Sequence, residues 1–436
     1  MSPRYLAFGI GVILAAGCGT ALAQDDVKGT GLKSESVRKQ KDGLLPPKDA
    51  LEQKDGDIAP DQYQPQGVAL GSFLLLPKAE VDLTRNNNIY ASNYDRVGDF
   101  LTAYRSEAVL KSDFQRHEVT AQGRIERKEF HNYDRESVTN SYLRLAGRYD
   151  FTPRDVVNLA VFHTRDHEDR GSLDDAGGLR PTEYQYLTLD ASGVMNTGNL
   201  TSSLGFLATN RQWDDTRTST GVTPSHFRNR NDYELKLREA YEFIPGYAAL
   251  VEATGIQRRY EHDRDQSGYR RDSDGVRLAT GLGLDISEVI RGDVLGGYMW
   301  QDYEDARLGN VSGAFFKVML NWMPTRLTTV IPSLERSIEE TTASGVAALL
   351  STAASVTVRH ELQRNIILGS TLSYSEDEQK NGELTAHTYT GTVRATYLLN
   401  SSVYASAEMT EKHKLSNIDG RGFNQTIGML RLGLQY

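Results

Sequence analysis

From Gly67 onward, apolar and polar residues alternate with a period of two, again and again along the chain. Val119, Ala121, Gly123 and Ile125 alternate with Glu118, Thr120, Gln122, Arg124 and Glu126. Tyr233, Leu235, Leu237, Tyr241 and Phe243 alternate with Asp232, Glu234, Lys236, Arg238 and Glu242. Tyr389, Gly391, Val393, Ala395 and Tyr397 alternate with Thr388, Thr390, Thr392, Arg394 and Thr396. Successive side chains of a strand point to opposite faces, so each stretch predicts a strand with one apolar and one polar face. A soluble sandwich or barrel would bury the apolar face; a membrane barrel would turn it to lipid and its polar face to a wet lumen. Transmembrane helices are excluded, because they need runs of about 18 apolar residues. Only 39% of the 436 residues are hydrophobic and the mean hydropathy is -0.50.

Three features favour the membrane barrel. Short turns fall near Asp113–Arg116, Thr152–Asp155, Asn196–Asn199, Ile244–Gly246, Ser287–Arg291, Met323–Arg326, Glu361–Asn365 and Leu399–Ser401. Long polar segments lie between them, near 85–99, 129–140, 163–183, 211–231, 258–274, 301–311, 337–347, 375–386 and 412–424. Short periplasmic turns facing long outside loops are the asymmetry of outer-membrane barrels. Aromatic residues form two sets. Tyr149, Phe151, Tyr241, Phe243, Tyr247, Trp322 and Tyr397 flank the short turns; Tyr133, Tyr184, Tyr186, Trp213, Tyr233, Tyr260, Trp300, Tyr303 and Tyr374 lie near the long loops. Two such belts fit the two interfaces of a bilayer. The end of the chain alternates through Leu430, Leu432, Leu434 and Tyr436, resembling the C-terminal assembly signal of outer-membrane barrels. Eight short turns and nine long loops predict an all-β, transmembrane, antiparallel up-and-down barrel of about 18 strands (16–20 allowed by the uncertain strand ends), with both termini in the periplasm. A propeller would need a repeated blade motif, and none is visible.

Residues 1–23 read as a signal peptide. Arg4 is the charged start, Leu6 to Ala16 the apolar run, and Ala21-Leu22-Ala23 the small-residue cleavage site. Cys18, the only cysteine, sits in Leu14-Ala15-Ala16-Gly17-Cys18, which looks like a lipoprotein box. Ala15 stands where such a box carries a bulky residue, so cleavage after Ala23 is the favoured reading and leaves a mature chain without cysteine. Residues 24–66 are polar and aromatic-poor, with Pro46-Pro47, Pro60 and Pro65, and read as a flexible periplasmic leader. The barrel is expected over 67–436.

By alternation the lumen face carries Lys78, Glu80, Asp82, Arg105, Glu107, Arg124, Glu126, Lys128, Arg144, Arg148, Lys236 and Arg238. Opposite charges on neighbouring strands can pair and stiffen the wall, or form a hydrophilic track for a polyol or sugar chain. Both signs are present, so no ion selectivity is predicted. About 18 strands enclose an aqueous channel unless something plugs it, and one long loop can fold inward. His163-Thr164-Arg165-Asp166-His167-Glu168-Asp169-Arg170 mixes ligand-type residues with arginines and is read as a solvated loop, as are Asp174-Asp175 and Asp214-Asp215. The sequence has no nucleophile motif, phosphate loop or zinc spacing. No catalytic, cofactor-binding or metal residues are assigned, and the chain is expected not to be an enzyme.

From about Gly67 to Tyr436 the chain resembles the "putative β-barrel porin 2" family of outer-membrane proteins. The likeness rests on Val97-Gly98-Asp99-Phe100, His167-Glu168-Asp169-Arg170-Gly171-Ser172, Arg180-Pro181-Thr182-Glu183-Tyr184, Arg271-Asp272-Ser273-Asp274-Gly275, Pro324-Thr325-Arg326-Leu327-Thr328-Thr329, Ser337-Ile338-Glu339-Glu340-Thr341-Thr342 and Ala395-Thr396-Tyr397-Leu398-Leu399-Asn400. These are turn and loop patterns and carry no chemistry of their own. The resemblance implies a Gram-negative outer-membrane barrel of the kind often associated with exopolysaccharide or capsule export. Expected partners are outer-membrane lipid and lipopolysaccharide, the barrel assembly machinery and periplasmic polysaccharide-export components, with no nucleic acid and no cofactor. The alternatives are a general diffusion porin for small solutes and a plugged structural or adhesive barrel.

Overall fold

A computed structural model describes residues 61–286 and 289–436. Eighteen long strands follow one another: β1 (Phe73–Asn86), β2 (Asp99–Ser112), β3 (Glu118–Phe130), β4 (Val138–Asp150), β5 (Val156–His167), β6 (Glu183–Thr197), β7 (Leu200–Trp213), β8 (Arg230–Ile244) and β9 (Tyr247–Tyr260). The second half is β10 (Ser273–Ile286), β11 (Ile290–Tyr303), β12 (Val311–Thr325), β13 (Thr328–Glu339), β14 (Ala348–Gln363), β15 (Ile366–Lys380), β16 (Thr385–Leu398), β17 (Val403–Ser416) and β18 (Phe423–Gln435). Each pairs antiparallel with its neighbours in sequence, and β18 pairs with β1, so the sheet closes into a barrel, parted only where the upper ends of β12 and β13 separate. Closure satisfies the backbone donors and acceptors that hydrocarbon would leave unpaired.

Exposure follows the alternation. Outward residues such as Leu83, Ile125, Leu143 and Leu372 are more than half exposed, whereas Glu80 and Asp82 between them are only 4% exposed. The apolar stripe therefore looks outward around the ring, the arrangement a bilayer stabilises. The loops are shorter than the sequence pattern suggests. Strand pairing runs to His167, Tyr260, Lys380 and Ser416, and Met323 to Thr325 still belong to β12. Polar alternation continues past the apolar band, so polarity alone places the loop boundary too early. The segment 1–23 read as a signal peptide, with Cys18, and residues 24–60 of the segment read as a leader lie outside the described residues. Asp61–Tyr63 form a single 3-10 turn, and Tyr63 packs on Leu398, Tyr404 and Ile367 of the inner wall.

One sector departs from simple alternation. In β9–β12 the inward residues Ala248, Leu250, Ala279, Leu295, Met299 and Phe315 are buried and apolar, while Val251, Leu278 and Tyr298 on the other face are exposed and apolar too. β13 pairs with β12 only from Lys317–Glu335 down to Thr325–Thr328. Above that point its upper end leaves β12, and Ile338, Ala347, Ala348 and Leu350 of the β13–β14 hairpin pack with Leu250, Met299 and Phe315 in one buried cluster. A Cβ on Gly281 would lie 1.9 Å from the Val294 carbonyl oxygen, so this inner surface admits no side chain there. The principal apolar core thus lies inside the barrel, beneath a hairpin of its own wall.

Candidate functional site

The inner wall of β1–β4 is a ladder of charges. Arg105 on β2 forks between Glu80 on β1 and Glu126 on β3, with Asp82 at 3.7 Å. Lys78 lies 3.1 Å from Glu80, and Lys128 3.7 Å from Glu126. Glu107 accepts from Gln122 at 2.5 Å, and Arg148 donates to Asp150 at 2.6 Å. Arg124 and Arg144 lie over the rings of Tyr142 and Phe162. At the seam, Arg431 of β18 grips Asp82 of β1 with two donors at 2.7 Å each, and Tyr404 donates to Glu80. Farther round, Lys236 lies 3.3 Å from Glu252, and Arg238 donates to Asp293 at 2.9 Å. Ten of the twelve residues chosen by alternation share one face of β1–β4 in register, and Lys236 and Arg238 stand opposite Thr254 and Glu252 of β9. Adjacent-strand pairs of opposite sign stiffen such a wall and keep it wettable.

The long-loop end is crossed from wall to wall. Residues 168–182, between β5 and β6, contact β17 and β18, six strands away: Lys414 donates to the Gly171 carbonyl at 2.8 Å. A Cβ on Gly171 would come within 2.5 Å of Ala91 and 2.8 Å of Phe423, and its φ is +75°, so this crossing needs glycine. Arg170 is bound by Glu136 through two bonds of 2.7 and 2.9 Å. Glu168 takes hydrogen bonds from Arg228 at 2.6 Å and Trp213 at 3.2 Å. Near the opposite wall, Asp174 accepts from the Thr342 amide and hydroxyl at 3.0 and 2.7 Å, tying this loop to the β13–β14 loop. That second loop is held in turn by Glu340, whose carboxylate meets Arg258, Tyr260 and Tyr303.

The two clasps of the mouth differ electrostatically. Burial raises the Glu168 pKa above the usual carboxylate value, against the opposing pull of Arg228 and Trp213. Asp215 goes the other way: burial is outweighed by donors from the Ser225 amide and the His226 ring and amide, and its pKa is lowered. Arg307 beside Asp305, with backbone N–H groups of Arg270 and Arg307, holds that carboxyl well below its ordinary range.

Sequence reasoning missed the mouth. The segment 163–170 is not a solvated loop. His163 to His167 complete β5, and Glu168 and Arg170 are buried partners in the crossing. Asp174 and Asp175 are likewise engaged, by Thr342 and Arg170, whereas Asp214 is exposed and Asp215 caps a turn. Their charge imitates a solvated loop because each acid meets an arginine distant in sequence. A signal was present: Glu168, Arg170, Thr182, Arg271, Glu340 and Thr342 all fall in the segments that carry the family resemblance. Among the described residues, no group of three or more His, Cys, Asp or Glu side chains is placed to hold a metal.

The family profile described as "Putative beta-barrel porin 2" matches residues 59–436. No curated protein matches the chain. Solved structures to which it is similar include a mutant of the ferric enterobactin receptor PfeA from Pseudomonas aeruginosa, at 8% identity and a TM-score of 0.43 over 83% of this chain and 80% of that one. OccAB3 from Acinetobacter baumannii is 9% identical, with a TM-score of 0.42 over 84% and 100%. The outer membrane protein opdK from Pseudomonas aeruginosa is 11% identical, with a TM-score of 0.40 over 83% and 99%.

Proposed function

The chain belongs to the Putative beta-barrel porin 2 family, and on that premise we propose that it is a non-enzymatic outer-membrane channel whose lumen passes a secreted polysaccharide chain. The coarse role, a barrel channel in the outer membrane, follows from the family and the closed all-β wall. The polysaccharide is our reading, supported by the association of this family's resemblance with polymer export. The observation that carries the channel is the inward charge ladder from Lys78 to Arg148 inside a ring of lipid-facing Leu, Val and Tyr. Its polar groups keep water and hydroxyl-rich solutes in place along the wall. In this reading the short-turn end and both termini face the periplasm and any export components there. The long-loop end meets lipopolysaccharide, and the crossing at 168–182 gates it.

Two measurements test the proposal together. The purified mature chain should conduct ions in planar bilayers, and a strain lacking it should retain its polymer. Conductance with normal secretion would favour a general diffusion porin. The wall-to-wall crossing gives weight to a third reading, a plugged structural barrel, which predicts no conductance from the natural chain and conductance only after residues 169–179 are replaced by a short linker.

A further inference from the structure

Glu340 is a carboxylate delivered by a loop into a site built for a carboxylate. Arg258 of β9 donates to its Oε1 at 2.6 Å, Tyr303 of β11 to the same oxygen at 2.9 Å, and Tyr260 of β9 to Oε2 at 2.8 Å. The Glu340 side chain is 6% exposed and that of Arg258 11%. The socket belongs to the β9–β11 wall; its occupant comes from the β13–β14 loop, some 80 residues away in sequence. The loop's backbone is held there too. Arg258 also donates to the Ile338 carbonyl at 3.0 Å, and Arg271, fixed by Asp265, donates to the carbonyls of Ala343 and Val346. One guanidinium and two phenols converging on two carboxylate oxygens give directional, charge-assisted recognition.

We infer that this socket is a binding site for carboxylated sugar units of the transported chain, and that Glu340 is its internal competitor. The inference rests on the polysaccharide reading and narrows it to an acidic polymer. A uronic-acid carboxylate offers the same two oxygens as Glu340 to the guanidinium and the two phenols. When the sugar takes the socket, Glu340 is released, and with it the loop that Thr342 ties to Asp174 across the mouth. Binding of the cargo and opening of the mouth thereby become one event, driven by the difference in affinity between the two occupants.

The test is calorimetric titration of the full detergent-solubilised chain with a hexamer of galacturonic acid, and with maltohexaose as the neutral control. Glu340→Ala should bind the acidic hexamer roughly tenfold tighter than the natural chain, the factor expected if the internal occupant fills the socket about nine-tenths of the time. Glu340→Gln, which keeps the shape, should gain less and covers the case of a misfolded alanine variant. Adding Arg258→Ala to Glu340→Ala should abolish the gain, and maltohexaose should show none of these changes. Equal binding by the natural and Glu340 variants, or an equal gain for the neutral hexamer, overturns the inference. Because binding is read apart from conductance and secretion, a pore that conducts and secretes can stand while this site falls, and the reverse.

Discussion

The inner walls of β1–β4 and β9–β12 are made of the same antiparallel hairpins, yet they hold opposite contents. On β1–β4 the inward face carries charges on every strand, matched to the next strand as Glu80, Arg105 and Glu126 are. On β9–β12 the middle of the inward face holds an apolar patch, Leu250, Leu295, Met299 and Phe315 with glycine and alanine between them, bordered by buried Glu252 and Arg277, and a hairpin tip covers it. The difference teaches that alternation decides which side a residue faces, while the inward residues decide whether that side holds water or protein. A wall apolar on both faces has to recruit a second layer, and β13–β14 supplies it.

The largest expected effect tests that second layer. Phe315→Ala opens a cavity in the covered wall, where Phe315 is 1% exposed, and should lower the unfolding free energy in lipid vesicles by about 3–5 kcal/mol. Tyr142→Ala on the open wall should cost far less, about 1 kcal/mol, because Tyr142 is only partly buried. Equal losses would erase the contrast between the walls. Next is Leu143→Arg beside it, outward and 58% exposed, which should cost about 2–4 kcal/mol near the bilayer midplane in the same urea titration. A neutral result there would mean that this stripe does not face hydrocarbon.

Arg105→Ala probes the ladder itself. It leaves Glu80, Asp82 and Glu126 short of one shared cation; stability should fall by roughly 1–3 kcal/mol, and reversal potentials should shift toward cation preference. Unchanged selectivity would place the ladder away from the ion path. The smallest effect compares the two clasps by pH. Asp215 has a lowered folded pKa, so its stabilisation is full above about 4, the unfolded aspartate value, and is lost as pH falls through the lower folded value. Glu168 has a raised folded pKa, so acidification through that value relieves the cost of burying its charge. Pepsin near pH 3 should therefore cut the 214–226 segment before 168–182; the reverse order would contradict these assignments.

Much of the barrel was legible in the chain. Eighteen strands, the alternating long and short connections, and the inward side of Lys78, Arg124 or Lys236 follow from a period of two and from turn chemistry. The mouth was not, because Glu168–Arg228, Asp174–Thr342 and Arg258–Glu340 join residues 60 to 168 positions apart, and no local pattern encodes such a pairing. The covered wall left one trace that period-two reading passes over. After Arg277, in Leu278-Ala279-Thr280-Gly281-Leu282, the inward residues between the outward leucines are alanine and glycine and not charged ones, as a strand covered on its inner face requires.

The grip of Arg431 on Asp82 has a consequence for biogenesis. β1 is the first long strand to be synthesised and β18 the last, so this contact forms only when the ring shuts. A slip of one residue would turn Arg431 into the membrane and strand Asp82 beside Glu80. The clasp therefore favours one junction over its one-residue neighbours: only in the observed frame do Arg431 and Asp82 meet out of contact with hydrocarbon.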